Sequence, residues 1–254
     1  MSKDITPTDL TVCMPTWDSE PVIRQTLKHL AQSEADAPIH IHAIVIIDNN
    51  SEDRTIEIAR EVAKEFNWNM ELVSKPCSLP EAREMAIEKV ETDWLLFLDD
   101  DVLVSDDYLS RLCESVSSAV GAVQGRKYSL REKNNSKWVH SRSKRGGTHA
   151  TLIRRSAASD ISFPSDLHVL EDEYLRQHIE EKGYLWIFNH QAMFKHENQN
   201  RHSQGWEHGY LGGKYGLSKL HFHLLYAPIA IMRGESPIKQ AKLLLGWLYG
   251  HLRY

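Results

Sequence analysis

The first hundred residues alternate short apolar runs with longer amphipathic stretches, and few folds accommodate such an order. The apolar runs predict strands at residues 10–14, 43–47, 71–73 and 94–98. Between these runs, apolar residues recur at helical spacing over residues 21–31, 54–66 and 80–90. Strands that alternate with helices are typical of βαβ units, so we expect an α/β chain with a parallel, Rossmann-like first half.

The pattern changes after residue 120. Longer β-like runs at residues 122–128 and 149–153 flank a basic, glycine-containing loop at 141–147. A helix is predicted at 171–181, with Gly183 as its C-cap, and strands follow at 184–188 and 191–195. From residue 202 onward the chain reads as mostly helical. We therefore expect a mixed sheet in the second half of a domain at 1–199, followed by a helical extension at 200–254.

Polar residues follow three of the predicted strands at the point where each strand ends. These segments are Pro15-Thr16-Trp17, Asp48-Asn49-Asn50 and Asp99-Asp100-Asp101. Ligands of open parallel sheets bind outside the carboxyl ends of the strands. The sequence therefore predicts a functional site at this edge.

The three consecutive carboxylates at 99–101 repel one another unless a cation relieves the repulsion. Hard divalent cations prefer oxygen ligands, and Mg²⁺ is often held by one or two carboxylates together with substrate phosphates. Asp99 and Asp101 lie on one side if the strand geometry continues. The competing interpretation is a solvated acidic turn, which the apolar strand before it disfavours.

Several segments resemble family 2 glycosyltransferases with a GT-A fold, and they occur in the family's order. TVCMPTWDSE, IIDNNSEDRT, EAREMAI and WLLFLDDDVLV resemble the nucleotide-binding half, and GGTHATLIRR, VLEDEYLRQHIEEKGY and KHE resemble the acceptor half. The resemblance covers about residues 10 to 197. It implies an inverting transferase that uses a UDP-, GDP- or dTDP-sugar, a Mn²⁺ or Mg²⁺ ion, and a glycan or lipid-linked acceptor in polysaccharide or glycolipid synthesis.

The resemblance also implies roles for individual residues in donor binding. It implies that Asp48 contacts the nucleobase, although Asp48 is also a turn-forming residue in Asp-Asn-Asn-Ser. It places Pro15, Thr16 and Trp17 in the first loop, which meets the base. Arg83 matches an arginine that approaches the diphosphate, although SLPEARE lacks the glycine and asparagine that the family commonly has nearby.

The metal, sugar and catalytic roles follow from the same resemblance. Asp99, Asp101 and His196 match the metal side, with Asp100 beside them, and Gly147 lies between Gly146 and Thr148 in a loop that lines the sugar. In the pair Glu171-Asp172 we favour Asp172 as general base, because the second acid is the usual one. Acids at a helix N-terminus are also favourable with the helix dipole.

Composition excludes some classes and leaves others open. Charge is scattered in the body of the chain, which argues against nucleic-acid binding. The N-terminus does not read as a secretory signal, and three separated cysteines fit a reducing cytoplasm. A haloacid-dehalogenase-like phosphatase would explain DDDVL alone, and a non-catalytic nucleotide-sugar-binding subunit stays open.

The C-terminal segment combines basic and apolar residues. Residues 211–254 hold six Lys or Arg against one acid, while the net charge of the whole chain is -5. A predicted helical stripe carries Ala241, Leu244, Leu245, Leu248 and Leu252. We expect either peripheral contact with the cytoplasmic membrane face, or a helical cap packed on the catalytic domain, or a dimer interface.

Overall fold

A computed structural model describes residues 7–127, 146–197, 205–232 and 234–253. The chain divides into two compact units. The first unit comprises Met1–Ser162 and His178–Asn198, and the second comprises Phe163–Gln177 and Gln199–Tyr254.

The first unit is built on one eight-stranded sheet with the order β3-β2-β1-β4-β7-β6-β8-β5. Strands β1 to β4 are mutually parallel, whereas β7 is antiparallel to both β4 and β6. The predicted parallel first half and mixed second half are therefore confirmed. The strands are β1 (Asp9–Thr16), β2 (His40–Asp48), β3 (Asn69–Ser74), β4 (Trp94–Leu98), β5 (Val102–Val104), β6 (Val120–Lys127), β7 (Ala150–Arg154) and β8 (Leu185–His196).

Helices cover the sheet and fill the connections. Strands β1, β2 and β3 are each followed by a helix with one buried face, such as the face of the first helix that carries Leu27 and Leu30. The helices are α1 (Ile23–Glu34), α2 (Thr55–Glu65), α3 (Leu79–Glu88), α4 (Tyr108–Glu114), α5 (Arg155–Ala158) and α6 (Glu171–Glu181), of which α6 extends from the second unit into the first.

Local capping signals explain where two of these helices begin or end. Ser78 is the N-cap of α3, and its backbone N–H donates to Glu81 Oε2 at 2.7 Å in a capping box. Gly183 follows α6 with a φ of +85°, which confirms the predicted C-cap. Asp53 lies one residue before the observed N-cap of α2, and its carboxylate accepts a hydrogen bond from Thr55 N at 2.9 Å.

Strand β5 and helix α4 are absent from the sequence prediction. The three residues of β5 carry no period that distinguishes them from a turn, and they become a strand by pairing with β8, 90 residues later in the chain. Strand β8 joins the two strands predicted at 184–188 and 191–195 into one, and it pairs with both β6 and β5. Of the predicted loop at 141–147, residues 141–145 lie outside the described residues.

The described residues of the second unit form three further helices, α7 (Trp206–Lys214), α8 (Leu220–Met232) and α9 (Pro237–Arg253). Helices α7 and α9 pack through glycines. A Cβ built on Gly209 would lie 2.0 Å from Leu243 O, and one built on Gly246 would lie 2.3 Å from Trp206 O. Real Cβ atoms do not approach backbone this closely, so this contact requires glycine. Within the described residues, we find no helix with the length and apolar character needed to span a membrane.

The glycine contact generates a stability prediction. Gly246→Ala should lower the free energy of unfolding by about 1–3 kcal/mol, because the methyl group forces two helix backbones apart. Urea unfolding of the full chain, followed by tryptophan fluorescence, measures this change. The control is Ala241→Gly at an exposed position of α9, which should cost only about 1 kcal/mol. Equal or smaller loss at Gly246 would contradict the close contact.

Candidate active site

The carboxyl ends of β1, β2 and β4 meet at one edge of the sheet. Thr16 and Asp48 are register partners at the ends of β1 and β2, and Asp99 follows β4 directly. The loop after β1 hydrogen-bonds to the acidic triplet, since Thr16 Oγ1 donates to Asp100 Oδ2 at 2.7 Å. The structure thus brings together the three polar strand ends that the sequence singles out.

Asp48 is buried and already has hydroxyl partners. Its Oδ1 accepts hydrogen bonds from Ser51 Oγ at 2.6 Å and Ser51 N at 3.1 Å, and its Oδ2 accepts one from Ser74 Oγ at 2.5 Å. Asp48 therefore fixes the turn that follows β2, as the Asx interpretation expects. A nucleobase N–H would have to share one of these oxygens.

The loop after β1 presents an aromatic ring to solvent. Trp17 is 63% exposed, while Thr16 beside it is buried and Pro15 is half-buried at the end of β1. The backbone N–H of Trp17 donates to Asp100 Oδ2 at 3.3 Å, which ties this loop to the acidic triplet. The exposed indole face is available to stack on a planar ring.

The middle carboxylate of the triplet turns away from its two neighbours. Asp100 Oδ2 accepts hydrogen bonds from Thr16 and Ser19, and Thr26 Oγ1 donates to the Asp100 carbonyl oxygen at 2.8 Å. Burial raises the pKa of Asp100 to about 6, and the charges of Asp99 and Asp101 add to this effect against the opposing hydroxyl bonds. Asp100 therefore serves mainly to anchor the first loop.

Asp99 lies among three basic side chains. Arg83 Nη2 is 3.3 Å from Asp99 Oδ1, and His149 Nδ1 is 2.6 Å from Asp99 Oδ2. Burial raises the pKa of Asp99, but the Arg83 charge and the His149 hydrogen bond outweigh it and hold this pKa below its usual range. Asp99 is therefore ionised at neutral pH.

Arg83 is itself almost completely buried. Its guanidinium lies over the Phe97 ring, 5.1 Å from the centroid, and Nη1 is 3.5 Å from the Thr148 carbonyl oxygen. The arginine thus contacts both the acidic triplet and the loop before β7 from the buried side. Its distance from solvent distinguishes it from an arginine that is freely presented to phosphate.

His196, at the end of β8, completes the cluster. His196 Nδ1 is 3.2 Å from Asp101 Oδ2, and its Nε2 is 3.9 Å from Asp99 Oδ2. The His149 and His196 rings meet edge to face at 4.7 Å. Ligand atoms of Asp99, His149 and His196 all lie within 4.8 Å of one another, which is a spacing that a single cation can bridge. Carboxylate and imidazole donors together suit Mn²⁺ and related divalent ions.

His149 is the member of this cluster that the sequence analysis missed. It belongs to the GGTHATLIRR segment, which gave a loop and a strand but no role for the histidine. The feature that places His149 in the cluster is the pairing of β4 with β7, beside which Asp99 N donates to His149 O at 2.9 Å. That antiparallel register brings the two side chains together, and it is not readable from the spacing of 50 residues.

The loop before β7 is closely packed. Gly147 is buried, and a Cβ there would lie 2.6 Å from Gln124 Nε2. Thr148 is fully buried, and its Oγ1 has no hydrogen-bond partner among the described residues. A larger residue at position 147 would therefore displace the end of the Gln124 side chain on β6.

Glu171 and Asp172 open helix α6 in the second unit. Glu171 is buried and Asp172 is half-buried, and Leu170 precedes them with a φ of +68°. Together with Glu173 they form an acidic first turn, which the helix dipole favours.

Comparison with known proteins decides the family. The model of glycosyl transferase family 2 matches residues 11–178, which is more than half of the chain. The chain belongs to glycosyl transferase family 2. It is therefore related to enzymes that transfer sugars, and this relation favours a transferase over the phosphatase alternative.

Curated relatives within the family match over part of their length. The poly(ribitol-phosphate) beta-N-acetylglucosaminyltransferase TarS of Staphylococcus aureus is 29% identical over 101 residues, which cover 39% of this chain and 16% of TarS. The succinoglycan biosynthesis protein ExoM of Rhizobium meliloti is 28% identical over 134 residues, which cover 52% of this chain and 42% of ExoM. The matches thus span less than half of either relative.

Solved structures share the fold. The mannosyltransferase PcManGT from Pyrobaculum calidifontis, in complex with GDP-Man and Mn²⁺, superposes with a TM-score of 0.66 at 18% identity. The superposition covers 99% of this chain and 72% of that one. These neighbours are GT-A glycosyltransferases, so the expected GT-A fold is confirmed.

The buried pair of Arg83 and Asp99 generates a prediction. Arg83→Leu should lower the free energy of unfolding by about 3 kcal/mol, because it leaves a largely buried carboxylate without its main countercharge. Urea unfolding in the presence of a chelator measures this, since added cations could replace the lost charge. Arg24→Leu, which breaks an exposed ion pair with Glu61, is the control and should cost at most about 1 kcal/mol.

Proposed function

We propose that the chain is an inverting, metal-dependent glycosyltransferase that moves a sugar from a nucleotide diphosphate sugar to an acceptor hydroxyl. The observation that carries the proposal is the convergence of two carboxylates and two imidazoles directly beyond β4, beside the polar ends of β1 and β2. A cation held there would lie next to the loops that meet a nucleotide in an open parallel sheet.

We assign the donor nucleotide to the ends of β1 and β2. Trp17 offers an exposed ring for stacking, and the carboxylate of Asp48 accepts an N–H of the base in competition with its serine partners. Pro15, Thr16 and Asp100 hold this loop against the triplet. We assign Gly147 to the loop that lines the sugar, before β7.

Asp99, Asp101, His149 and His196 would hold the cation. When bound, Mn²⁺ or Mg²⁺ supplies positive charge that stabilises the departing nucleotide diphosphate. Arg83 keeps Asp99 ionised and oriented, and through the carbonyl of Thr148 it also steadies the loop that carries His149. In this scheme Arg83 acts on the diphosphate through Asp99 rather than by direct contact.

Asp172 is the proposed general base, with Glu171 beside it as the alternative. Its carboxylate removes the proton from the acceptor hydroxyl as the oxygen attacks the anomeric carbon, so that the configuration inverts. The new bond to the acceptor oxygen forms as the bond to the diphosphate oxygen breaks. No covalent intermediate with the enzyme is required.

The acceptor is proposed to be a growing glycan or a lipid-linked sugar in polysaccharide synthesis. The names of TarS and ExoM, which describe polymer glycosylation and succinoglycan biosynthesis, support this class. We propose that the reaction takes place in the cytoplasm, with the enzyme held at the membrane face by its C-terminal segment.

The test of the function is a screen of UDP-, GDP- and dTDP-sugars with Mn²⁺ or Mg²⁺, measured as release of nucleoside diphosphate by purified protein. A true transferase should hydrolyse one donor slowly and transfer its sugar faster when an acceptor is supplied. Tight nucleotide-sugar binding without any turnover would instead identify a non-catalytic binding subunit.

Removal of a histidine should weaken cation binding. We expect His149→Ala and His196→Ala each to lower Mn²⁺ affinity by about 10- to 100-fold, because each change removes a donor or the group that orients one. Calorimetry with Mn²⁺ alone measures this without any need for turnover. His42→Ala, at an exposed position of β2, serves as the control. Unchanged affinity in the His149 variant would remove that residue from the proposed ligands.

Asp172→Asn should separate binding from chemistry. The amide keeps the shape of the side chain but cannot accept the proton, so transfer should fall by about 10²–10⁴-fold while donor affinity stays near normal. Asp160→Asn, at an exposed aspartate, is the matched control. Near wild-type transfer by the Asp172 variant would reject this base, and a retained anomeric configuration in the product would reject inversion.

A further inference from the structure

The C-terminal helices expose large apolar side chains and bury glycine. On α8, Leu224 is 53% exposed, Leu225 66% and Met232 77%, and on α9 Leu252 is 81% exposed. We call these residues, together with others that share their exposure, the apolar face. Its further members are Leu220, Ile231, Ile238, Leu245 and Tyr249.

The contact between α7 and α9 has the opposite composition. Gly209 and Gly213 on α7 face Gly246 and Gly250 on α9, and every Cβ built at these positions would fall within 2.0–2.3 Å of a backbone oxygen. The two backbones therefore touch, with Trp247 as a large buried side chain beside them. The predicted stripe on α9 is only partly covered, because Leu244 and Leu248 are half-buried while Leu245 and Leu252 are exposed.

This arrangement is the reverse of what water favours. In water, a helix pair gains stability by burying its large apolar side chains between the helices and exposing polar ones. Where lipid surrounds the helices, large apolar side chains lose nothing by facing outward, and small residues allow close backbone contact. A helix that is apolar around most of its circumference, as α8 is, belongs in an apolar environment.

The charges near the apolar face also favour contact with an anionic lipid bilayer. Lys242 and Arg253 are exposed on α9, and Lys219 is exposed directly before α8. The one acid of residues 211–254, Glu235, accepts hydrogen bonds from Gln240 and Tyr226 and lies 3.7 Å from Lys239. The segment therefore presents net positive charge, which an anionic bilayer surface attracts.

Length indicates that the helices lie along the bilayer surface. The 13 residues of α8 and the 17 residues of α9 extend about 20 and 26 Å at 1.5 Å per residue, short of the ~30 Å hydrocarbon core. Pro228 also interrupts α8. Such helices insert their apolar side chains at the level of the headgroups.

We propose that the apolar face of α8 and α9 docks on an anionic lipid bilayer, with Leu224, Leu225 and Met232 inserted and the basic residues at the headgroups. This deepens the proposed function and rests on it for the identity of the acceptor, since a lipid-linked sugar would then be presented at the same surface. A second copy of the chain is the competing occupant, which the experiment below distinguishes.

The test is flotation of the full chain with vesicles of phosphatidylcholine alone and with added phosphatidylglycerol. The chain should float with the anionic vesicles, less with the neutral ones, and less at high salt. Leu225→Asp should lower the vesicle partition coefficient about tenfold. The matched control is Leu185→Asp, at a leucine of β8 that is 54% exposed in the first unit, and it should float like the parent.

Two further measurements keep the outcomes distinct. Nucleotide binding with Mn²⁺ should be unchanged in Leu225→Asp. Loss of flotation by this variant with retained nucleotide binding supports docking. Failure of the parent and of all variants to bind nucleotide counts against the proposed function alone. If Leu225→Asp does not fold, the double variant Lys219→Ser, Lys242→Ser should lower flotation on anionic vesicles only. Absence of flotation by the parent overturns the proposal, as does a dimer in solution that Leu225→Asp dissociates without any vesicle binding.

Discussion

Three consecutive carboxylates at the end of a buried strand repel one another, and the local structure is organised around that repulsion. Each carboxylate finds a different partner. Asp99 pairs with Arg83 and His149, Asp100 turns to the hydroxyls of Thr16 and Ser19, and Asp101 meets His196. Each of these contacts ties a separate element to the end of β4, so the electrostatic requirement of the triplet also assembles the edge of the sheet.

The same contacts give the three carboxylates different roles within the site. Asp100 faces the first loop and is used in positioning it, which leaves Asp99 and Asp101 on the side where the two histidines lie. A buried arginine on α3 holds the charge of Asp99 from behind. The proposed cation would thus meet an ionised Asp99 and side chains that are already oriented, so little reorganisation is needed when the donor diphosphate arrives.

The second unit follows a different physical rule. The first unit buries leucines and isoleucines in one continuous core, whereas α7 and α9 meet through glycines, and α9 exposes Leu245 and Leu252. Two environments in one chain explain this contrast most simply. With the proposed acceptor and the proposed membrane docking, the acceptor and the enzyme would be confined to the same surface.

The sequence by itself determined the parallel first half, the helix over Glu171–Glu181, the cap at Gly183 and the polar strand ends. These features depend on periodicity and local backbone preference, which neighbouring residues carry. It also pointed to Asp99, Asp101 and His196 through the family resemblance, although their proposed roles as ligands await the binding experiments. Tertiary structure alone decided the position of His149, the pairing of β5 with β8, and the outward direction of Leu245 and Leu252. The partners of His149 and β5 lie far away in sequence, and the helical period of α9 is the same whichever of its faces is buried.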